Sequence, residues 1–310
     1  MVSSCLRSTL FSILIATCEV LSSAEVKAQE QALSHPLQNQ IIDNQGHVLS
    51  KDVVNEKIRQ HAYVFVGEKH DNPRHHQIEL EILQARFQVP APKRGRAVFE
   101  MLDEAQDSLI SLLKPQQNLD EMKLTMQWPV KAWDWNSYGP LFQEAVKFDA
   151  LKSGNISRAL IGAIYKDGPK ILASTPKFLS ATKQSAETQQ YLLDQIFAAH
   201  CGMQSRESLQ PMLHIQLAKD ASMAAAMISD ARAILIAGGE HVRPTTGAPA
   251  HLQTLQPNAD ALVIQLVEAK GDKLKLIDYL PSVGAADLYW FTEATPEQDY
   301  CAGVKGRAAQ

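Results

Sequence analysis

The chain has 310 residues and a formal net charge of −4, because 34 acidic side chains nearly balance 30 basic ones. This balance argues against a nucleic-acid-binding protein, which would carry a basic stripe. The length is sufficient for one large domain or two modest ones with a sizeable core. Beyond residue 28, no segment is long and apolar enough to predict a membrane span.

Residues 1–28 are predicted to be a signal peptide. Arg7 provides a positive start, and the apolar run 8–17 is shorter than the roughly 20 residues that cross a bilayer. Cleavage is expected after Ala28 or after Ala24. The segment ending at Cys18 also resembles a lipobox, although the preceding threonine departs from that pattern. The sequence therefore predicts a periplasmic protein, either soluble or anchored to the outer membrane as a lipoprotein.

Of four cysteines, only Cys201 and Cys301 lie beyond the predicted leader. In an oxidising compartment they can form a disulfide, and the alternative is two buried free thiols. No CxxC pair is present, so the spacing does not suggest a zinc site.

The first part of the predicted mature chain, 29–60, is a linker and hairpin that ends in a short helix at 51–60. A continuous apolar run at 62–66 predicts a buried parallel strand. Asn72-Pro73 is a typical helix start and predicts a helix over 73–87. Its apolar face is formed by Ile78, Ile82, Leu83 and Phe87.

A second strand is predicted at 97–102, followed by a long, mostly helical stretch. Further strands are predicted at 233–237, 261–267 and 287–292, and a helix at 248–255. This order predicts an α/β fold with a mixed, mostly parallel sheet flanked by helices. The core would comprise 61–104 plus 231–303, and 105–230 would be a smaller inserted helical subdomain.

Polar residues follow three of these predicted strands. Gly67-Glu68-Lys69-His70-Asp71 ends the first, Glu100 and Asp103 end the second, and Gly238-Gly239-Glu240-His241 ends the third. Ligands of open α/β sheets bind at the carboxyl ends of parallel strands, so we expect Glu68, His70, Glu100 and His241 to meet. Such a group can hold a transition metal or perform acid–base chemistry.

His75 and His76 open the helix that follows the first strand, and Glu79 lies one turn further on. The spacing fits neither HExxH nor HxxEH. We expect one of the two histidines to reach the site and the other to face solvent. The alternative is that both are surface residues.

These segments resemble the ChaN-type haem-binding uptake family of the TIKI and erythromycin esterase-like superfamily. The resemblance rests on 67–76, on Phe99-Glu100-Met101-Leu102-Asp103, on 238–243 and on Gly247-Ala248-Pro249. Weaker matches are Gln216, Lys219-Asp220, Met223 and the tail from Asp287. The resemblance covers about residues 60–303. It implies an envelope protein linked to haem or iron acquisition, with a mixed α/β sheet and a smaller helical domain.

The first function that this implies is non-covalent haem binding, since the sequence has no CxxCH attachment motif. The aromatic loop 128–138 offers three tryptophans and Tyr138, our first candidate for the axial ligand. His75 and His76 are further candidates. Lys131, Arg158 and Arg243 are candidates for the propionates. The alternative is that the aromatic residues simply pack the helical part onto the sheet.

The second function is metal-dependent hydrolysis of the TIKI protease or erythromycin esterase type. Glu68 would be the general base, and His70 and His241 would bind metal or stabilise an oxyanion. The divalent metal would be held by Glu68, His70, Glu100 and His241. No GxSxG elbow is present, which argues against a serine hydrolase. Expected partners are haem, a TonB-dependent haem receptor or another uptake component, and a second copy of the chain.

Overall fold

The computed structural model describes residues 35–89, 95–129, 133–297, 299, 301 and 302. The predicted signal peptide, Cys18 of the lipobox and Lys131 of the proposed haem site lie outside these residues. Among the helices of the described ranges, none is both long and apolar enough to cross a bilayer.

A seven-stranded sheet forms the centre of the described chain, in the order β1-β7-β6-β2-β5-β3-β4. Its strands are β1 (Ile41–Asp43), β2 (Tyr63–Glu68), β3 (Arg96–Asp103), β4 (Leu151–Asn155), β5 (Ala233–Gly238), β6 (Ala261–Ala269) and β7 (Leu288–Glu293). Strand β1 runs antiparallel to β7, and all other neighbouring pairs are parallel. The predicted mixed, mostly parallel α/β sheet is confirmed.

Helices cover both faces of this sheet. They are α1 (Lys51–Gln60), α2 (Pro73–Phe87), α3 (Asp107–Ile110), α4 (Leu119–Thr125), α5 (Trp135–Val146), α6 (Arg158–Ser174), α7 (Ala186–Ala199), α8 (Gln210–Ile228), α9 (Ala248–Leu255) and α10 (Leu280–Val283). Short 3-10 turns connect several of them, and the turn at Gly239–Val242 directly follows β5.

The alternation of side chains along β2 explains why this strand is apolar throughout. Val64 and Val66 belong to one core cluster, which includes α2 and α5. Tyr63 and Phe65 belong to a second cluster, which includes α8 and α9. A parallel strand covered on both faces needs such a continuous apolar run. Its end is therefore the first place where polar side chains can point at a ligand.

The predicted helix at 73–87 is confirmed as α2. The Asn72 side chain accepts a hydrogen bond from the Arg74 amide, and Pro73 occupies the first helical position. The apolar face predicted from the sequence is buried in the first core cluster. This packing holds the first turn of α2, with His75 and His76, against the end of β2.

The range 105–230, predicted as a helical subdomain, contains helices α3 to α8 and also strand β4. Its residues, Leu-Lys-Ser-Gly-Asn, pair with β3 at the edge of the sheet. The sequence analysis predicted a mostly helical stretch here. The prediction missed β4 because this edge strand is short and contains polar residues and a glycine, and therefore lacks an apolar run.

Cys201 and Cys301 form a disulfide, with their Cα atoms 5.7 Å apart. Of the two alternatives that the sequence left open, the structure shows the bridged one. The bond ties the region after α7 to the C-terminal tail and closes a loop with a sequence separation of 100 residues.

Candidate functional site

The carboxyl ends of the central strands bring the predicted polar residues together. Glu68 ends β2 and pairs in register with Gly238, the last residue of β5. Glu100 lies on β3 next to β5, and His241 follows in the 3-10 turn. A Cβ at Gly67 would lie 2.3 Å from Val242, so glycine is required for this turn to pack on the strand.

His241 lies between two carboxylates. Its Nδ1 is 2.6 Å from Asp220 Oδ1, and its Nε2 is 3.2 Å from Glu100 Oε1. The other oxygen of Glu100 accepts the Gly238 amide at 2.9 Å. All three side chains are buried. Each nitrogen of one imidazole thus faces a different carboxylate, and we call these three residues the His241 cluster.

The charges within the His241 cluster shift its pKa values in opposite directions. Burial alone would lower the pKa of His241, but Glu100 and Asp220 outweigh burial and raise it to about 10. Burial alone would raise the pKa of Glu100, yet His241 holds this pKa well below its usual range. The cluster is therefore an ion pair at neutral pH in the absence of a metal.

Glu68 positions His70. Its Oε1 accepts a hydrogen bond from the Tyr138 hydroxyl at 2.7 Å and lies 2.9 Å from His70 Nδ1. The side chain of Glu68 is fully buried, whereas that of His70 is 33% exposed. Burial would lower the pKa of His70, but Glu68 and Glu100 together raise it. The carboxylate thus fixes the ring through Nδ1 and leaves Nε2 directed elsewhere.

The Nε2 side of the His70 ring is open enough to bind a ligand. Within the described ranges Nε2 makes no hydrogen bond, and the nearest carboxylate oxygen, on Glu100, is 3.7 Å away. The ring packs on Trp133 with centroids 4.5 Å apart. A Cβ at Gly238 would approach Nε2 to 2.7 Å, so glycine keeps this space free.

His76 contacts two carboxylates, those of Glu68 and Glu79, through its Nδ1. Its Nδ1 is 3.2 Å from Glu68 Oε2 and 3.1 Å from Glu79 Oε2. Its Nε2 donates to the backbone carbonyl of His70 at 3.1 Å. Burial and then the charge of Glu68 raise the pKa of Glu79 to about 8. We call Glu68, His76 and Glu79 the buried triad.

His75 has a different environment from its neighbour. Its Nδ1 accepts the Lys69 amide at 2.9 Å, and its Nε2 lies 3.0 Å from the Thr292 hydroxyl. Burial lowers its pKa to about 3, so the ring is neutral. The expectation that one of His75 and His76 faces solvent is wrong, because both are buried by the packing of α2 against the sheet.

Two cavities open at this end of the sheet. The first, of about 700 Å³, is lined by Glu68, His70 and His241 together with the apolar side chains Leu266, Val267 and Val283 and with Lys270 and Lys273. The second, of about 620 Å³, is lined by Glu100, Trp128, Trp133, Met126 and Arg158. Both volumes are in the range of small-molecule and cofactor sites.

The residues proposed for haem binding lie at different places in the structure. Tyr138 is 1% exposed and is bonded to Glu68, and burial with this carboxylate raises the pKa of its phenol far above normal. It therefore cannot present a phenolate in this arrangement, which argues against our first candidate. Arg243 donates to the Ser282 carbonyl and packs over Tyr191, whereas Arg158 is exposed at the second cavity.

The loop tryptophans also divide between two roles. Trp128 and Trp135 are buried in the first core cluster and pack on Phe142. Trp133 is less buried and contacts His70. The alternative interpretation, packing of the helical part onto the sheet, therefore describes two of the three.

Asp220 was not assigned to the site from the sequence. It lies on α8, where Gln216 one turn earlier also contacts His241 at 3.1 Å. The signal was two polar residues spaced i, i+4 on a helix whose other buried positions, apart from Ser222, are apolar. A polar side chain on such a face needs a partner, and His241 provides it.

The geometry can be set against known families. A sequence model of the family described as haem-binding uptake, Tiki superfamily, ChaN matches residues 54–252. The match includes the ends of β2, β3 and β5 and therefore every residue of the His241 cluster. The chain belongs to this family.

One solved structure agrees with this membership at the level of the fold. A structure entitled "Cofacial heme binding to ChaN of Campylobacter jejuni" has a TM-score of 0.66 and 21% identity, covering 81% of this chain and 95% of that one. A structure of the type III effector HopBA1 has a TM-score of 0.40 and 11% identity, covering 79% and 93%, and carries no argument. No curated protein matches the chain.

Proposed function

We propose that this protein binds haem non-covalently in the first cavity, with His70 Nε2 as the ligand of the iron. The observation that carries this proposal is the environment of His70. Its Nδ1 is held by a buried carboxylate, and its Nε2 faces a cavity without a hydrogen bond. A histidine that donates its other nitrogen to a carboxylate is the usual arrangement of a metal-binding imidazole. Membership of a haem-binding uptake family supports haem as the bound cofactor.

The remaining lining of the first cavity fits a haem. Leu266, Val267 and Val283 provide apolar contact for a porphyrin, and Lys270 and Lys273 provide positive charge for propionates. When bound, haem would supply an iron with a redox or transport role. The residues of this chain bind it, orient it through His70 and shield one of its faces.

Titration with hemin followed by absorption spectroscopy tests the proposal. We expect a shifted Soret band for the wild type, loss of this band in His70→Gln, and its retention in Tyr138→Phe. His47→Gln is the matched control, because that histidine is largely exposed and distant in sequence from the site. Absence of any Soret shift in the wild type would refute haem binding. Loss in Tyr138→Phe with retention in His70→Gln would refute the ligand assignment.

The alternative function, metal-dependent hydrolysis, has less support from the geometry. Glu68 is occupied by Tyr138 and His70, and both ring nitrogens of His241 are occupied by carboxylates. Within the predicted set of Glu68, His70, Glu100 and His241, only His70 Nε2 remains open to a metal, and Glu68 is not free to act as a general base.

The proposal extends to the cell envelope and to partners. The Cys201–Cys301 disulfide supports an oxidising compartment. Mass spectrometry of the mature N-terminus tests this: a start near Gln29 indicates a secreted form, and acyl chains on Cys18 indicate a lipoprotein.

Pairing of two chains on exposed haem is tested by light scattering with and without hemin. Association with a TonB-dependent receptor or another uptake component is tested by crosslinking in intact cells.

A further inference from the structure

The buried triad has more hydrogen-bond acceptors than donors. Because the His70 carbonyl can only accept, the bond from His76 Nε2 places the ring proton on that nitrogen. The Nδ1 of the ring faces two carboxylate oxygens, Glu68 Oε2 and Glu79 Oε2. When a metal ion replaces the proton on Nδ1, this nitrogen offers a lone pair. Three electron-rich atoms thus converge in the interior.

The carboxylates of the triad also keep oxygens without partners. Among the described residues, Glu68 Oε2 and Glu79 Oε1 are buried and accept no hydrogen bond. The side chains of both glutamates are fully buried. Buried polar atoms are nearly always satisfied, so one orphaned oxygen on each of the two carboxylates that contact His76 indicates a missing positively charged ligand.

The spacing of these atoms suits a metal ion. Two atoms that are each about 2.0–2.1 Å from one tetrahedral zinc ion lie about 3.3 Å apart. The distances from His76 Nδ1 to the two carboxylate oxygens are 3.2 and 3.1 Å. One ligand atom from each of the three residues lies within 4.8 Å of the others. The backbone carbonyl that accepts from His76 Nε2 is the typical outer partner of a metal-bound histidine.

We propose that Glu68, His76 and Glu79 form a second site, which shares only Glu68 with the lining of the haem cavity and binds one divalent transition-metal ion such as Zn²⁺ or Mn²⁺. An imidazole with two carboxylates is a donor set that these ions accept. The ion would replace the proton that His76 and Glu79 otherwise share, and it would cancel the charge of two buried carboxylates. Through Glu68, it would also fix the carboxylate that orients His70.

Zinc analysis of haem-free protein tests this proposal. Because the site is buried, the full chain is first unfolded in the presence of a chelator. It is then refolded with Zn²⁺ as the only added metal and desalted before the bound metal is measured. We expect about one zinc ion per wild-type chain. Glu79→Gln is expected to lower the zinc affinity by at least about tenfold, and His76→Gln by a similar factor.

Glu81→Gln is the matched control, since it makes the same change on the same helix at a partly exposed residue paired with Lys51. It is expected to keep the wild-type affinity. The proposal is overturned if the wild type retains no more zinc than Glu79→Gln, with circular dichroism showing both folded. It is also overturned if zinc is lost in His241→Gln and kept in Glu79→Gln. Because the readout is zinc and not the Soret band, this result is independent of the haem proposal.

Discussion

Two groups of buried ionisable residues flank the end of β2, and each contains one histidine and two carboxylates. In the His241 cluster, each carboxylate meets a different ring nitrogen, and the Gly238 amide satisfies a further oxygen. In the buried triad, both carboxylates meet the same nitrogen, and the other nitrogen is used by a carbonyl. The same residue types therefore form a closed ion pair in one place and an open, donor-poor cluster in the other.

This difference shows that composition alone does not determine the chemistry of such a cluster. What matters is which nitrogen faces which carboxylate, and that is set by the elements from which the side chains project. His241 lies on the turn after β5, with Asp220 of α8 on one side and Glu100 of β3 on the other, whereas His76 lies on α2 with its Nε2 against the loop after β2.

The largest effect on stability is expected from removing a carboxylate of the His241 cluster. Glu100→Ala leaves His241 charged, buried and paired on one side only, and leaves the Gly238 amide without its acceptor. We expect the free energy of unfolding to fall by about 3–5 kcal/mol, measured by chemical denaturation. Glu104→Ala is the control, because that glutamate forms a half-exposed pair with Lys177 and is expected to cost at most about 1 kcal/mol. Equal costs for both variants would contradict the closed-cluster interpretation.

The next effect concerns alkaline pH. The pKa of His241 is raised to about 10 in the folded protein, against about 6.5 when unfolded. Its stabilising contribution is therefore complete below pH 6.5 and is lost as the pH rises towards 10. We expect the stability difference between wild type and His241→Gln to be largest near pH 6 and to shrink towards pH 10, in denaturation curves across this range. A difference that stays constant with pH would show that His241 is not charged.

In the buried triad, removing a carboxylate is expected to stabilise the folded protein, in contrast to the loss of stability expected for the His241 cluster. The pKa of Glu79 is raised to about 8, so folding at pH 7 requires this carboxyl to take up a proton. This cost appears as the pH rises from 4.5 to 8. We therefore expect metal-free Glu79→Gln to be more stable than wild type at pH 7, by roughly 1–2 kcal/mol in chemical denaturation.

Glu81→Gln again provides the control for this change and is expected to stay within about 0.5 kcal/mol of wild type. If Glu79→Gln is instead destabilised, the bond between Glu79 and His76 outweighs the burial of the charge. The two clusters would then be alike in energy despite their different geometry.

The smallest effect distinguishes the two adjacent histidines of α2. Burial lowers the pKa of His75 to about 3, whereas burial is outweighed for His76 by Glu79 and Glu68, which raise its pKa. In an NMR titration from pH 5 to 8, the ring signals of His75 are expected to stay constant. The signals of His76 are expected to titrate with a midpoint above 6.5. A midpoint for His75 inside this range would contradict a neutral ring that is hydrogen-bonded at both nitrogens.

Much of the fold could be predicted from the sequence because strong local patterns agree with it. The apolar run of β2 and the Asn72-Pro73 start of α2 each reflect a physical requirement of a buried strand or a capped helix. Strand β4 was missed because its residues, Leu-Lys-Ser-Gly-Asn, show no such pattern. An edge strand takes its conformation from pairing with β3, and that pairing is not visible locally.

The site was predictable only in part for a similar reason. Strand ends identified Glu68, His70, Glu100 and His241 as residues that the topology brings to one edge of the sheet. Asp220 reaches His241 from a helix 21 residues earlier, and Tyr138 reaches Glu68 from 70 residues away. Which side chains lie beneath the strand ends depends on tertiary packing. The aromatic loop therefore suggested Tyr138 as an open ligand, although it is sealed in the interior.

The bond between Cys201 and Cys301 has a consequence for damage to the chain. The loop that it closes contains β5, β6, β7 and His241, together with the exposed lysine-containing turn between β6 and α10. A protease that cuts once in that turn leaves two pieces joined covalently. The nicked protein would run as one band on a gel without reductant and as two bands with it, and its strands would remain tethered after the cut.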